Sequence, residues 1–141
     1  MALESAQHFK PLHDFITESK RVLVQSGFLV MAIPITVQDA SFGKLGLLKF
    51  TWSSEHYSLD YLKNLITSTG FKITDEILIG SHVYDPLADY YVENRQTLKK
   101  NILEHYPTYV EKILYKSILK MKKASQENII DYVLLKCVLD S

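Results

Sequence analysis

Five histidines, one cysteine and sixteen carboxylate side chains carry most of the chemistry this sequence can offer, and their spacing decides which can act together. His8 is the strongest catalytic candidate, because an imidazole titrating near neutrality can take the proton of a substrate hydroxyl. The competing reading is a histidine that merely packs or caps at the start of a helix. His13 falls on the polar side of its helical repeat and reads as solvated. His82 and His105 have no partners at metal-ligand spacing, and Glu55-His56 alone is too common a pair to mean zinc, so no metal is expected. Cys137 lies at the end of the last apolar run, where a buried thiol behaves as a small apolar group rather than a nucleophile. Glycines stand only at 27, 43, 46, 70 and 80. The chain therefore contains neither GxGxxG nor a Walker A loop and cannot cradle a nucleotide phosphate by those devices.

The elements that must position these groups follow from hydrophobic period and punctuation. Residues 8 to 23 place Phe9, Leu12, Ile16 and Leu23 at helical spacing, with Pro11 tolerable in the first turn. Phe28 to Ile33 is a short unbroken apolar run stopped by Pro34, which predicts a strand buried on both faces, as in a parallel sheet. Residues 36 to 57 are irregular and read as a lid or substrate-facing insertion. Ser58 can cap a helix whose Leu59, Leu62 and Ile66 share a face before Gly70 ends it. Phe71 to Ile79 predicts a strand, and Asp85-Pro86 is expected to open a helix that Pro107 must end. Thr108 to Glu111 forms a T-x-x-E capping box. The helix after it carries Val110, Ile113, Leu114, Ser117, Ile118 and Met121 on its apolar stripe, and Ile129 to Leu135 predicts a buried strand. The order is helix, strand, helix, strand, two helices, strand, which indicates α/β layering with helices covering a sheet.

Composition bounds the rest. The chain has 141 residues with 16 basic and 16 acidic side chains, 47% hydrophobic and 23% charged, as expected for one globular domain spanning 1–141. The lone cysteine excludes an internal disulfide, no signal peptide is suggested at the start, and a cytoplasmic location is the default expectation. The longest apolar run is about a third of the ~20 residues a membrane-spanning helix needs, so no membrane partner is expected. Between Arg95 and Lys123 eight basic residues stand against Glu104 and Glu111, leaving this segment at +6 and the remainder at −6. Those lysines fall mostly on the polar side of helical repeats, so a solvated face is expected there and no nucleic-acid partner.

Leu3-Glu4-Ser5-Ala6-Gln7-His8-Phe9, then Arg21-Val22-Leu23, then Gly27 before an apolar strand, resembles the middle of class I S-adenosylmethionine-dependent methyltransferases of the small-molecule O- and C-methylating type. Gly70-Phe71 before the next strand repeats that family's G-F step. The resemblance implies an α/β fold corresponding to the C-terminal half of a Rossmann-like methyltransferase domain. In it, a mixed sheet has helices on both faces, a helical lid or insertion lies over 84–124, and a final antiparallel strand closes the sheet. Where the family has P-G-G, this chain has Gln25-Ser26-Gly27. The family's first strand, glycine-rich loop and acidic ribose ligand would all precede residue 1.

The resemblance also implies roles. S-adenosylmethionine would be held only together with that missing N-terminal half, Leu3 and Glu4 lying on its edge, with Glu4 orienting the cofactor's charged end or the histidine. His8 would be the general base for a small-molecule acceptor. Phe9, Trp52, His56, Tyr57 and Tyr90, with Tyr84 and Tyr91 nearby, fall where the family places its lid, and their rings would enclose an apolar acceptor. The carboxylate that assists the base at the end of the family's fifth strand has no counterpart in Ala32-Ile33-Pro34. A noncatalytic binding or assembly module is the alternative reading. An apolar sheet edge left open by a missing half would favour a homo-oligomer or a separately encoded N-terminal half as partner.

Overall fold

The computed structural model describes every residue except Glu4, 38–42, Ser54 and 140–141. In chain order the elements are β1 (Ala2–Leu3), a short 3-10 turn (Ala6–His8), α1 (Leu12–Val22), β2 (Phe28–Thr36), α2 (Leu48–Thr51), α3 (Leu59–Ser68), β3 (Phe71–Leu78), α4 (Gly80–Glu93), α5 (Arg95–His105), α6 (Thr108–Gln126) and β4 (Ile130–Leu139). The four strands form one sheet in the order β1-β2-β4-β3. β1 runs parallel to β2, and β4 is antiparallel to both its neighbours, so the strand last in sequence lies inside the sheet. This is the mixed sheet with an antiparallel closing strand that the sequence led us to expect. Among the described residues no helix is long and apolar enough to cross a membrane.

Alternation along β2 and β4 divides the core between two faces. Leu29, Met31, Ile33 and Ile35 join Val133, Leu135 and Cys137 under α1 and α3, which contribute Leu12, Ile16, Leu62 and Ile66. Ala32, Ile130 and Tyr132 face the other way, against Leu45 and Leu48 from the α2 region, Tyr84 of α4 and Ala124 of α6. Leu45 and Leu48 are fully buried, so this part of the irregular 36–57 stretch is core rather than free lid.

Several expectations need correction. The helix predicted over 8–23 begins only at Leu12, because Pro11 withholds an amide donor and disfavours helical backbone at Lys10. Phe9 is extended and stacks on Phe15, with ring centroids 4.5 Å apart. β2 runs through Pro34 to Thr36 and is flanked by parallel β1 on one side and antiparallel β4 on the other. Thr36 N donates to the Tyr57 carbonyl at 2.9 Å, away from β4, and residue 34 shares that side by the two-residue period. β1 ends opposite Ala32, so proline's missing donor faces no partner strand.

α4 starts at Gly80, not at Asp85, and Pro86 lies inside it. Its start is fixed by tertiary structure: Asp131 Oδ1 accepts the amides of Gly80 at 2.8 Å and Tyr132 at 2.6 Å. The single helix expected up to Pro107 breaks at Asn94, whose backbone and side-chain nitrogens both donate to the Tyr90 carbonyl. The T-x-x-E box does not cap α6. Pro107 occupies the N-cap position, and Glu111 is buried with Oε1 accepting from Arg95 Nε at 3.0 Å. Ile113 and Leu114, placed on the apolar stripe by spacing, are exposed, because only the part of α6 from Ser117 onward reaches the core.

Two outcomes follow from β4. A Cβ on Gly80 would stand 2.6 Å from Asp131 Oδ1 and 3.1 Å from Ser125 Oγ. Gly80→Ala is expected to cost roughly 1–3 kcal/mol by overpacking, read from urea unfolding, and an unchanged midpoint would mean that this contact relaxes freely. Burial pushes the Cys137 thiol up to about 11. The folded state therefore keeps its proton where the unfolded chain, near its ordinary value of ~8.5, releases it. That stabilisation is fully present below about pH 8.5 and is lost as pH rises toward 11, and a thiol reagent at pH 8 is expected to modify Cys137 only on unfolding.

Candidate functional site

Ligands in open α/β sheets sit at the carboxyl ends of parallel strands, so the site is sought where β1 and β2 finish. The edge of β2 away from β4 is lined in turn by β1, by the 3-10 turn and by Tyr57–Ser58, which bridges Thr36 in parallel register. The turn exists because Ala6 and Gln7 are buried beside β2 while His8 at its end is exposed. Thr36 Oγ1 also reaches the Tyr57 carbonyl, at 3.5 Å. Lys10 forms an ion pair with Glu55, tying the His8-Phe9 segment to the one carrying His56 and Tyr57. Neither partner of that pair was singled out by spacing, since 45 positions separate them.

The chain after Glu55 lines a cavity. Tyr57 and Tyr61 stack with their rings 5.6 Å apart and nearly parallel, Ser58 Oγ accepts the Tyr61 amide, and His56, Tyr57, Ser58 and Tyr61 line a cavity of about 290 Å³. Tyr61 was not predicted, although its position four residues after Tyr57, across a helix start, is a readable signal. Burial, then the Glu55 carboxylate, then Tyr61 hold the Tyr57 hydroxyl above its ordinary range. The ring is thus a neutral donor at neutral pH.

Trp52 and His56 meet, their rings 5.6 Å apart, and Trp52 Nε1 donates to the Tyr84 hydroxyl at 3.0 Å. Tyr84 in turn donates to the Asp131 carbonyl, which makes Trp52 the link between the strand-end region and the second core. Phe9 is about a third exposed against Phe15, and Leu3 about half exposed at the end of β1. Tyr90 stands exposed on α4, whereas its neighbour Tyr91 is buried between α4 and α6. The structure brings His56 and Tyr57 together on one cavity with Trp52 against His56, ties the segment after His8 and Phe9 to theirs through Lys10–Glu55, and leaves Tyr90 exposed on α4. A larger cleft of about 550 Å³ lies between α3 and β3, but its lining includes Lys63, Lys72, Asp75 and Glu76 and it is away from the strand ends.

Glu4, expected to meet the cofactor, lies outside the described residues. The corrected end of β2 is Ile35-Thr36 rather than Ile33, and the next carboxylate, Asp39, also lies outside them. Among the described residues no group of three His, Cys, Asp or Glu side chains could hold a metal ion.

No family model and no curated protein matches the sequence. The structure is similar to solved ones. Over 89% of this chain it superimposes on 48% of the cyclopropane synthase MmaA2 of Mycobacterium tuberculosis, with a TM-score of 0.74 at 17% identity. It covers 99% of this chain against 32% of Haemonchus contortus phosphoethanolamine N-methyltransferase 2, at TM-score 0.73 and 12% identity. The [4+2]-cyclase SpnF matches over 99% of this chain and 48% of its own, at 0.69 and 16%. The fold is that of the class I methyltransferases, and the chain spans half or less of the length of these proteins.

The electrostatics of Tyr57 are directly testable. An ultraviolet difference titration between the protein and its Tyr57→Phe variant is expected to show the Tyr57 phenol ionising above pH 10, with Glu55→Gln moving the midpoint down. A midpoint indifferent to Glu55→Gln would remove the carboxylate from the account.

Proposed function

We propose that this chain supplies the acceptor side of an S-adenosylmethionine-dependent methyl transfer to a small molecule. The observation behind the reading is a sheet of methyltransferase order in which His8, exposed at the end of the turn that follows β1, precedes a segment tied by Lys10–Glu55 to the one carrying His56 and Tyr57. Fold likeness alone would not suffice, since one fold hosts many chemistries.

The cofactor supplies an electrophilic methyl carbon open to displacement by a nucleophile. This chain's residues hold the acceptor and manage its proton. Phe9, Tyr57 and Tyr61 offer aromatic faces to an apolar acceptor, and the Tyr57 hydroxyl, kept protonated, can donate to an acceptor oxygen. His8 takes the proton that a hydroxyl loses on methylation. Positioning carries most of the rate, which suits a site whose two walls are locked by an ion pair and by backbone bonds between Thr36 and Tyr57. Leu3 and Glu4 are the residues that would border the cofactor. Helices α4 to α6 span the segment proposed as the lid.

The open side of β1 is where a second copy or a separately encoded half would complete the sheet, because an unpaired strand edge templates pairing. A noncatalytic binding or assembly module is the second reading.

The test uses a protein carrying the whole fold. His8→Ala is expected to lower kcat ~10²- to 10⁴-fold with cofactor affinity unchanged. Near-normal turnover at saturating acceptor would leave His8 structural. For the 141-residue chain alone, calorimetric titration with S-adenosylhomocysteine is expected to show no micromolar binding; such binding would contradict the acceptor-side assignment.

A further inference from the structure

The surface this site does not use is the corner where α5 meets α6. From Ser117 onward α6 packs on α4 and the sheet through Ser117, Ile118 and Ala124, but its first two turns bury only Glu111. α5 buries nothing. The two helices project as one body, because Arg95 both bonds Glu111 and stacks its guanidinium 3.5 Å over the Tyr115 ring.

Large apolar side chains crowd the corner. Leu103 is 38% exposed, Tyr106 59%, Tyr109 63% and Ile113 41%. Lys112 and Lys116 follow Tyr109 at helical spacings of three and seven, and Lys100 stands at the middle of α5. All three are exposed, and none is in an ion pair among the described residues. The opposing carboxylates are few: Glu111 is turned inward and matched by Arg95, which leaves Glu104 as the acid on the outside of the arm. In a chain of zero net charge this segment carries +6.

We propose that this corner docks on an anionic lipid bilayer, with the lysines against headgroup phosphates and Leu103, Tyr106, Tyr109 and Ile113 in the interface. Charge complementarity selects an anionic partner, and the apolar tip selects its kind. Aliphatic Leu103 and Ile113 offer no ring for base stacking, whereas aliphatic and tyrosine side chains flanked by lysine match the headgroup boundary. A solvated face, the expectation from spacing alone, gives no account of four large apolar side chains exposed together. The inference is independent of the methyl-transfer reading.

Cosedimentation of the full chain with sucrose-loaded vesicles tests it. Vesicles of phosphatidylcholine with about one quarter phosphatidylglycerol are expected to bind about tenfold or more protein than phosphatidylcholine alone at low salt. Lys112→Glu with Lys116→Glu should abolish the difference, and Tyr109→Ser with Ile113→Ser should weaken binding without changing its salt dependence. These positions are exposed, and circular dichroism verifies that each variant is folded. Equal binding to both vesicles, no binding, or indifference to the charge reversals would overturn the proposal. So would binding of short single-stranded RNA that survives the Tyr109/Ile113 replacements while vesicle binding is absent, which would assign the corner to nucleic-acid phosphates.

Discussion

Insertion of β4 between β2 and β3 is the constraint on which the other contacts depend. Its ladder to β2 is unbroken from Phe28–Val138 to Thr36–Ile130, and on the other side it carries the whole of β3, with an irregularity between Ile73 and Asp75. Val133, Leu135 and Cys137 fill one core and Ile130 and Tyr132 the other, so a single strand sets the spacing of both helical layers. Asp131 extends its reach further. A carboxylate at the start of α4 satisfies an amide that has no helical partner and complements the helix dipole, so β4 decides where α4 begins.

The strand-end region inherits its geometry from that frame. With β4 on one side of β2, the other edge must be satisfied by something else, and β1, the 3-10 turn and Tyr57–Ser58 succeed one another along it. Pro34 lies where that edge changes hands, at a position asking for no donor. Lys10 and Glu55 then tie the segment after His8 to the one carrying His56 and Tyr57. Lys10–Glu55 is an exposed pair, with side chains 63% and 35% accessible, so its value is orientation more than stability.

Away from the sheet, the arm of α5 and α6 shows how one buried charge redistributes a surface. Glu111 lies inside, where its carboxylate meets the Arg95 guanidinium that is stacked over the Tyr115 ring. Removing that acid from the exterior concentrates the lysines into a positive surface, and the short reach of the core along α6 leaves Ile113 and Leu114 outside. A buried ion pair of this kind adds little net stability but specifies one arrangement of the helices that carry it.

Local signals were sufficient for much of the fold. Ser58 caps α3 as its position implied, Gly70 ends it at φ +87, the apolar runs at 28 and 130 are strands, and the alternation of elements indicates a layered α/β sheet. The motif around His8 led to the right fold from residues 3 to 27. What the sequence could not determine depended on partners far along the chain. The start of α4 hangs on Asp131, 51 positions away, the fate of Glu111 on Arg95 rather than Thr108, and the passage of β2 through Pro34 on which edge stays unpaired. The Lys10–Glu55 pair belongs to the same class. Spacing reports periodicity and caps because these arise within a few residues; which carboxylate a buried amide or guanidinium meets is settled only when the sheet has brought distant segments together.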